Sequence, residues 1–182
     1  MKKNLLRYAL FIGGCIFFTS CIEVEPEQLP SITTQGLETF GCMVNGNVWL
    51  PKKDYTLFED IPLIILDFLP SKSDSEVTIL ATNTKLSSSF SIRIFHANIL
   101  GNIADTDFTF FYSSNDNSID KKFSFKKEPL RNFQIKLLRA DWGSNDTVFI
   151  AGIFNGTLLN SDHDSVVIED GRFDLTNMPK KK

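Results

Sequence analysis

Few side chains in this sequence can do covalent or metal chemistry: three cysteines (Cys15, Cys21, Cys42) and two histidines (His96, His163) among 182 residues. Asp162-His163-Asp164 sets an imidazole between two carboxylates, a donor set that suits a transition metal. Neighbouring residues on an extended loop point in different directions, however, and no second histidine or cysteine is near, so the expected structure is a polar turn. Asn115-Asp116-Asn117-Ser118-Ile119-Asp120 offers hard oxygen donors but lacks the sixth-position glycine and closing glutamate of a calcium-binding loop, and it too reads as a turn. His96 continues the parity of Phe90, Ile92 and Ile94, which places it at the end of a core-facing row as a hydrogen-bonded strand-end residue rather than a base. There is no Cys-x-x-Cys pair, phosphate-binding glycine loop, Gly-x-Ser-x-Gly elbow or His-Glu-x-x-His helix. The acidic residues are many, but no pair stands out for glycoside hydrolysis. The expectation is a protein that is not an enzyme, with no catalytic residue, no metal and no cofactor.

Cys21 is the exception. It ends a segment that begins with Lys2, Lys3 and Arg7, continues through an apolar run from Tyr8 to Phe18, and closes on Thr19 and Ser20. An apolar run this short matches a signal-peptide core of roughly 7–15 residues and not a spanning helix of about 20. Residues 1–20 are therefore expected to be an export signal. The Phe18-Thr19-Ser20-Cys21 ending resembles a bacterial lipoprotein signal, in which the thiol is acylated and becomes the mature start. Each buried CH₂ of an acyl chain contributes about 0.8 kcal/mol, and two chains suffice for stable anchoring. The expected partner of Cys21 is a membrane, reached through lipid.

Cleavage before Cys21 takes 20 of the 182 residues and leaves 162, the size of one domain with a sizeable core. It also takes three of the 19 Lys and Arg and none of the 22 Asp and Glu, so the mature part has 16 against 22, a formal charge of −6. That balance lacks the clustered basic surface that nucleic acid requires, and no nucleic-acid partner is expected. Cys42 is then the one thiol left beside the acylated one, so an internal disulfide is excluded and the hydrophobic core must hold the fold. Residues 21–36, with Glu23, Glu25, Glu27, Pro26 and Pro30, read as a flexible acidic tether. Residues 37–176 form a single β domain, and 177–182, ending Lys180-Lys181-Lys182, a solvated basic tail.

Within the domain the period is two. Thr39 to Val44, Asn45-Gly46, and Asn47 to Leu50 spell a β-hairpin with a two-residue type I′ turn. That turn pairs Val44 with Asn47, Met43 with Val48 and Cys42 with Trp49, so Cys42 is expected as a small buried hydrophobe beneath the indole. Alternation recurs at Phe90-Ile92-Ile94, Phe108-Phe110-Tyr112, Phe123-Phe125 and Phe133-Ile135-Leu137. Residues 61–69 and 76–82 read as further strands. Residues 146–159 are apolar on both faces, as a central strand is, with Gly152 or Gly156 marking a bulge or bend, and 166–168 with 171–175 form the last strand or broken strand. Residues 98–103 and 130–133 offer no more than a turn of helix. The expected fold is all-β: an antiparallel β-sandwich or rolled β-barrel of about nine strands with little or no helix.

Thr39-Phe40-Gly41-Cys42-Met43-Val44-Asn45-Gly46 with Trp49 and Pro51, and Ala151-Gly152-Ile153-Phe154 with Val167-Ile168-Glu169-Asp170-Gly171-Arg172-Phe173-Asp174, carry a family resemblance. They resemble the opening hairpin and closing strands of a group of Bacteroidota-type lipoproteins of unassigned function. The resemblance covers the signal, the first hairpin and the last forty or so residues. It implies an outer-membrane lipid-anchored protein facing the periplasm or the cell surface, and it carries over no catalytic or ligand-binding residue. Asp146-Thr147-Val148 and Asp164-Ser165-Val166 look like the Asp-(Ser/Thr)-apolar sites O-glycosylated in exported proteins of such bacteria, which makes Thr147 and Ser165 candidate modification sites. Two functions follow as expectations: a non-catalytic binding or interaction module for a protein or glycan, or a lipocalin-like carrier of a small apolar ligand.

Overall fold

A computed structural model describes residues 27–54, 62–69, 75–97, 100–116, 119–124, 132–142 and 147–177. The described chain is all-β, without helix. Eleven strands run in order: β1 (Thr39–Val44), β2 (Asn47–Trp49), β3 (Ile64–Leu69), β4 (Glu76–Asn83), β5 (Ser88–Ile94), β6 (Gly101–Asn102), β7 (Phe108–Asp116), β8 (Ile119–Ser124), β9 (Gln134–Trp142), β10 (Val148–Leu159) and β11 (Ser165–Thr176). Nine follow one path, β2-β1-β11-β10-β8-β7-β5-β4-β3, and every strand pairing is antiparallel. β9 leaves this path from β10 and carries β6 on its other side.

The sheet curls into a half-barrel, resolving the choice that alternation left open. Its first hairpin has the anticipated register, Cys42 opposite Trp49 and Val44 opposite Asn47, and the turn residues Asn45 and Gly46 take φ of 48° and 76°. The curl closes where the chain leaving β2 meets β4: Lys52 bridges Asn83 in parallel, and Thr84 N–H donates to Lys52 C=O at 2.9 Å. Side chains finish the seam. Buried Trp49 Nε1 donates to Ser88 Oγ at 2.9 Å, and Asn83 Nδ2 donates to Leu50 C=O at 2.8 Å.

The concave side is filled with rings. Phe40 on β1 touches Phe90 on β5 and Phe154 on β10, with centroids 5.7 and 5.6 Å apart. Phe110 on β7 reaches Phe133 at 4.4 Å and Phe154 at 5.2 Å, and Trp49 stands edge-on to Phe90 at 4.6 Å. Such pairs contribute about 0.5–1.5 kcal/mol each beyond area burial. Cys42 is fully buried among them, and burial pushes its thiol pKa up, away from reactivity.

β10 is where the sheet forks. Val148 to Asn155 pair with β9, whereas Leu159 pairs with Ser124 of β8. Gly156 sits between, at a register shift against β11, with φ 144°. A Cβ there would lie 2.4 Å from Asn132 C=O and 2.5 Å from Phe133 Cα. Both conformation and space demand glycine, which lets the chain entering β9 cross against β10. Gly152, the other candidate, also sits at a shift, between Ala151 and Gly152 against β9. Of the two forms expected for the end of the chain, residues 165–176 take that of one strand, with the register against β10 shifting between its partners Gly171 and Ile168.

His96 departs from expectation. β5 ends at Ile94, the backbone turns at His96 with φ 52°, and the imidazole emerges 47% exposed, 3.8 Å from the Asp107 carboxylate. Parity holds only while the strand continues, and here it stops two residues early. The N-terminal segment differs too. Residues 27–36, read from sequence as part of a tether, lie on the outer face of β11 and β9, held by the contacts set out below.

Gly156→Ala should destabilise the domain more than Phe110→Ala, which removes a buried ring at a cost of about 3–5 kcal/mol. The expected order follows from a backbone collision that no side chain can relieve. Urea unfolding of both variants against the parent checks it.

Candidate functional site

Alternation along β11 turns Asp174 outward, away from the rings, yet it is only 2% exposed. The cover is the N-terminal segment. Asp174 Oδ2 accepts from Thr33 Oγ1 at 2.6 Å, Gln35 N at 2.9 Å and Leu37 N at 3.3 Å, and Oδ1 accepts from Gly36 N at 2.7 Å. Gly36 has φ 74°, and a Cβ there would stand 2.9 Å from the Phe149 ring. The positive φ aims consecutive N–H groups at one carboxylate, the geometry of an anion-binding nest. Burial by itself would raise the pKa of Asp174; the bonds from Thr33, Gly36, Gln35 and Leu37 outweigh it and hold the carboxyl below its ordinary value.

Further contacts fasten the same segment. Arg139 donates to Thr34 C=O at 2.6 Å while its guanidinium lies 4.3 Å from the centre of the Phe149 ring. Arg172 donates to Pro30 C=O at 3.1 Å, and Lys52 pairs with Glu27. The docked segment forms one wall of an open groove of about 660 Å³, lined with Pro30, Phe40, Leu50, Pro51, Leu63 and Ile64 and edged by Glu38 and Lys53. Glu38 has φ 58°, and its carboxylate accepts from Thr176 N at 2.9 Å.

The convex side carries a second concavity, of about 220 Å³, on β5, β7 and β8. Phe111 and Tyr112 line it with Ser89, Ser91, Ser113 and Lys122, and Phe111 is 47% exposed because it alternates with the inward Phe110 and Tyr112. Ser91 lies directly across from it, Ser89 across from Ser113, and Ser113 across from Lys122. The Ser89 and Ser113 hydroxyls are 2.8 Å apart.

The residues singled out from sequence are not brought together. Cys21 and Asp146 lie outside the described residues, as do two residues, 117 and 118, of the acidic loop. Asp162, His163 and Asp164 form the β10–β11 turn around buried Asn160: Asn160 Oδ1 accepts from the N–H groups of Asp162 and Asp164, and Asn160 Nδ2 donates to Asp164 Oδ2 at 3.0 Å. His163 completes that turn with φ 68°. Among the described residues no group of three or more His, Cys, Asp or Glu is placed to hold a metal ion. Ser165 is exposed at the start of β11, and Thr147 is half-buried just before β10. Comparison with protein-family models, with curated proteins and with solved structures finds no match to the chain.

Asp174 closes the Asp170-Gly171-Arg172-Phe173-Asp174 run, which does not by itself announce its role, and Phe111 belongs to no motif. Asp174 sits in an ordinary alternating strand, and its role depends on a segment more than 130 residues away in sequence. Phe111 carried a signal, as an aromatic at an outward position between two inward ones.

Asp174→Asn keeps the shape but puts an amide among N–H donors, and should cost on the order of 2 kcal/mol at neutral pH. The folded pKa of Asp174 is depressed, so its contribution is full above the unfolded carboxylate value of about 3.9 and is lost as pH falls through the folded value. The stability gap between parent and variant should therefore be flat from pH 7 down to about 5 and shrink below about 4. Chemical unfolding across that range measures it.

Proposed function

We propose that the chain is a lipid-anchored lipoprotein of the cell envelope that works by binding and not by catalysis. Residues 1–20 direct export and are removed, Cys21 is acylated, and the domain is held at the outer membrane, facing the periplasm or the cell surface, close to its lipid. The family resemblance to Bacteroidota-type lipoproteins supports that address. In this reading Thr147 and Ser165 are O-glycosylated; exposed Ser165 is the more accessible of the two.

The observation that carries the binding reading is the filled interior. Rings from facing walls interlock between Phe40, Phe90, Phe110, Phe133 and Phe154, and the groove and trough described above lie at the surface and not among these rings. A carrier of the lipocalin kind needs an enclosed cavity at the position these rings occupy. The groups best able to do chemistry support the same reading: Asp164 and Asp174 each accept or receive bonds that fix a turn or a segment, and Cys42 is buried.

Two measurements test this. Intact-mass analysis from the native host should give a chain beginning at an acylated Cys21, and Cys21→Ser should shift the protein from the membrane fraction to the soluble one. An unmodified amino terminus elsewhere would refute the anchor. Solvent extraction of the purified mature domain should release no apolar ligand, and apolar dyes should not bind; a stoichiometric lipid would make the protein a carrier instead.

A further inference from the structure

We infer that the convex face around Phe111 is a carbohydrate-binding site that seats one sugar ring on the phenyl face. This rests on the binding-module reading and names the ligand class.

The argument starts from what surrounds the ring. Long polar side chains on a sheet normally fold over an outward aromatic and cover it. Here the residues directly across are Ser91 on β5 and Ser124 on β8, with Ser89 diagonal and Ser113 two positions on along β7, all too short to do so; the longer diagonal Arg93 is paired with Glu76, and Phe111 stays 47% exposed in the lining of a trough. A volume of about 220 Å³ lies below the 300–1,000 Å³ roughly typical of drug-sized ligands, which matches a single ring and not an extended apolar molecule.

The rim decides the chemistry. Each serine hydroxyl offers one donor and two acceptor positions, so the Ser89–Ser113 pair, once bonded to each other at 2.8 Å, still has capacity for a ligand. An exposed aromatic ring beside hydroxyls is the complement of a pyranose, which presents a flat C–H face and a perimeter of hydroxyls. A protein partner would be better served by a wide apolar core, whereas the trough itself is lined, besides Phe111 and Tyr112, by Ser89, Ser91, Ser113 and Lys122, and exposed Leu80 lies one strand further out, across from Ser91. Lys122 also lines the trough and brings a positive charge to it, which favours an acidic sugar. The site is assembled from three strands of fixed register, so its parts are preorganised by the sheet itself.

Affinity electrophoresis of the mature chain in native gels containing dextran, mixed-linkage β-glucan or polygalacturonate tests the inference. Retardation in at least one gel is expected, strongest with the polyuronate. Phe111→Ser should weaken it at least tenfold, Phe111→Trp should preserve it, and Lys122→Gln should weaken the polyuronate interaction selectively. These positions face solvent, and an unchanged near-ultraviolet circular dichroism spectrum verifies that each variant is folded. Parent mobility unaltered in all three gels, or retardation that survives Phe111→Ser, overturns the site. That failure is distinct from failure of the binding-module reading, which a co-purified apolar ligand would overturn whatever the gels show.

Discussion

The closure of a curled sheet by aromatic contact across its concave side is the constraint on which the rest depends. Between the strands on one side of the β10 fork and those on the other, the backbone pairing among the described residues is thin: Leu159 with Ser124 at one junction, Lys52 with Asn83 at the other. Backbone hydrogen bonds alone cannot hold two walls that touch at so few points. Rings do it, because one phenylalanine reaches both walls at once, as Phe40 does with Phe90 and Phe154. Among the described residues Cys42 is a free thiol and no disulfide limits the unfolded chain, so this burial must supply the driving force, at roughly 25 cal/mol per Å² of apolar surface removed from water. The same fact leaves the interior without room, since a ring that spans the gap also fills it.

Against that apolar field the buried polar side chains mark junctions. Asn83 and Ser88 stand where β2 meets β4 and β5, Asn160 shapes the β10–β11 turn, and Asp174 holds the N-terminal segment. Each is hydrogen-bonded, as burial requires. Rings tolerate sliding, because dispersion and area burial have little directional preference; hydrogen bonds at fixed distances do not. The division of labour is thus between aromatic residues that supply the energy of closure and four polar residues that fix how the ends align.

Strand identity was legible because the two-residue period is a local property. Phe90-Ile92-Ile94 and Phe108-Phe110-Tyr112 are inward in the structure as in the pattern, and Asn45-Gly46 made the first turn readable to the residue pair. Three features were not legible, each for a physical reason. His96 needed the end of β5, and strand ends are set by what the next segment packs on, not by alternation. The docking of 27–36 needed Asp174, and a segment held by backbone N–H groups shows no apolar periodicity to detect. The choice between sandwich and rolled sheet needed the Lys52–Asn83 bridge and the fork at Gly156, contacts between distant residues that carry no motif. Of the candidate surface, Phe111 could be read as outward, but the short serines around it become neighbours only once register is known.

The distribution of side chains between the two faces bears on function more than any single motif does. On the concave side, outward-seeking groups are absent from the middle and confined to seams, so specificity there concerns folding. On the convex side the N-terminal segment covers β11 and β9, leaving β4, β5, β7 and β8 open. That open region carries exposed Leu80 and Phe111 among serines, where a purely solvated sheet would place charge. The fastening of the N-terminal segment and the exposure of this face are thus two aspects of one arrangement. Residues 27–36 are pinned to one side of the curl, and the face opposite in the strand order keeps Leu80 and Phe111 exposed.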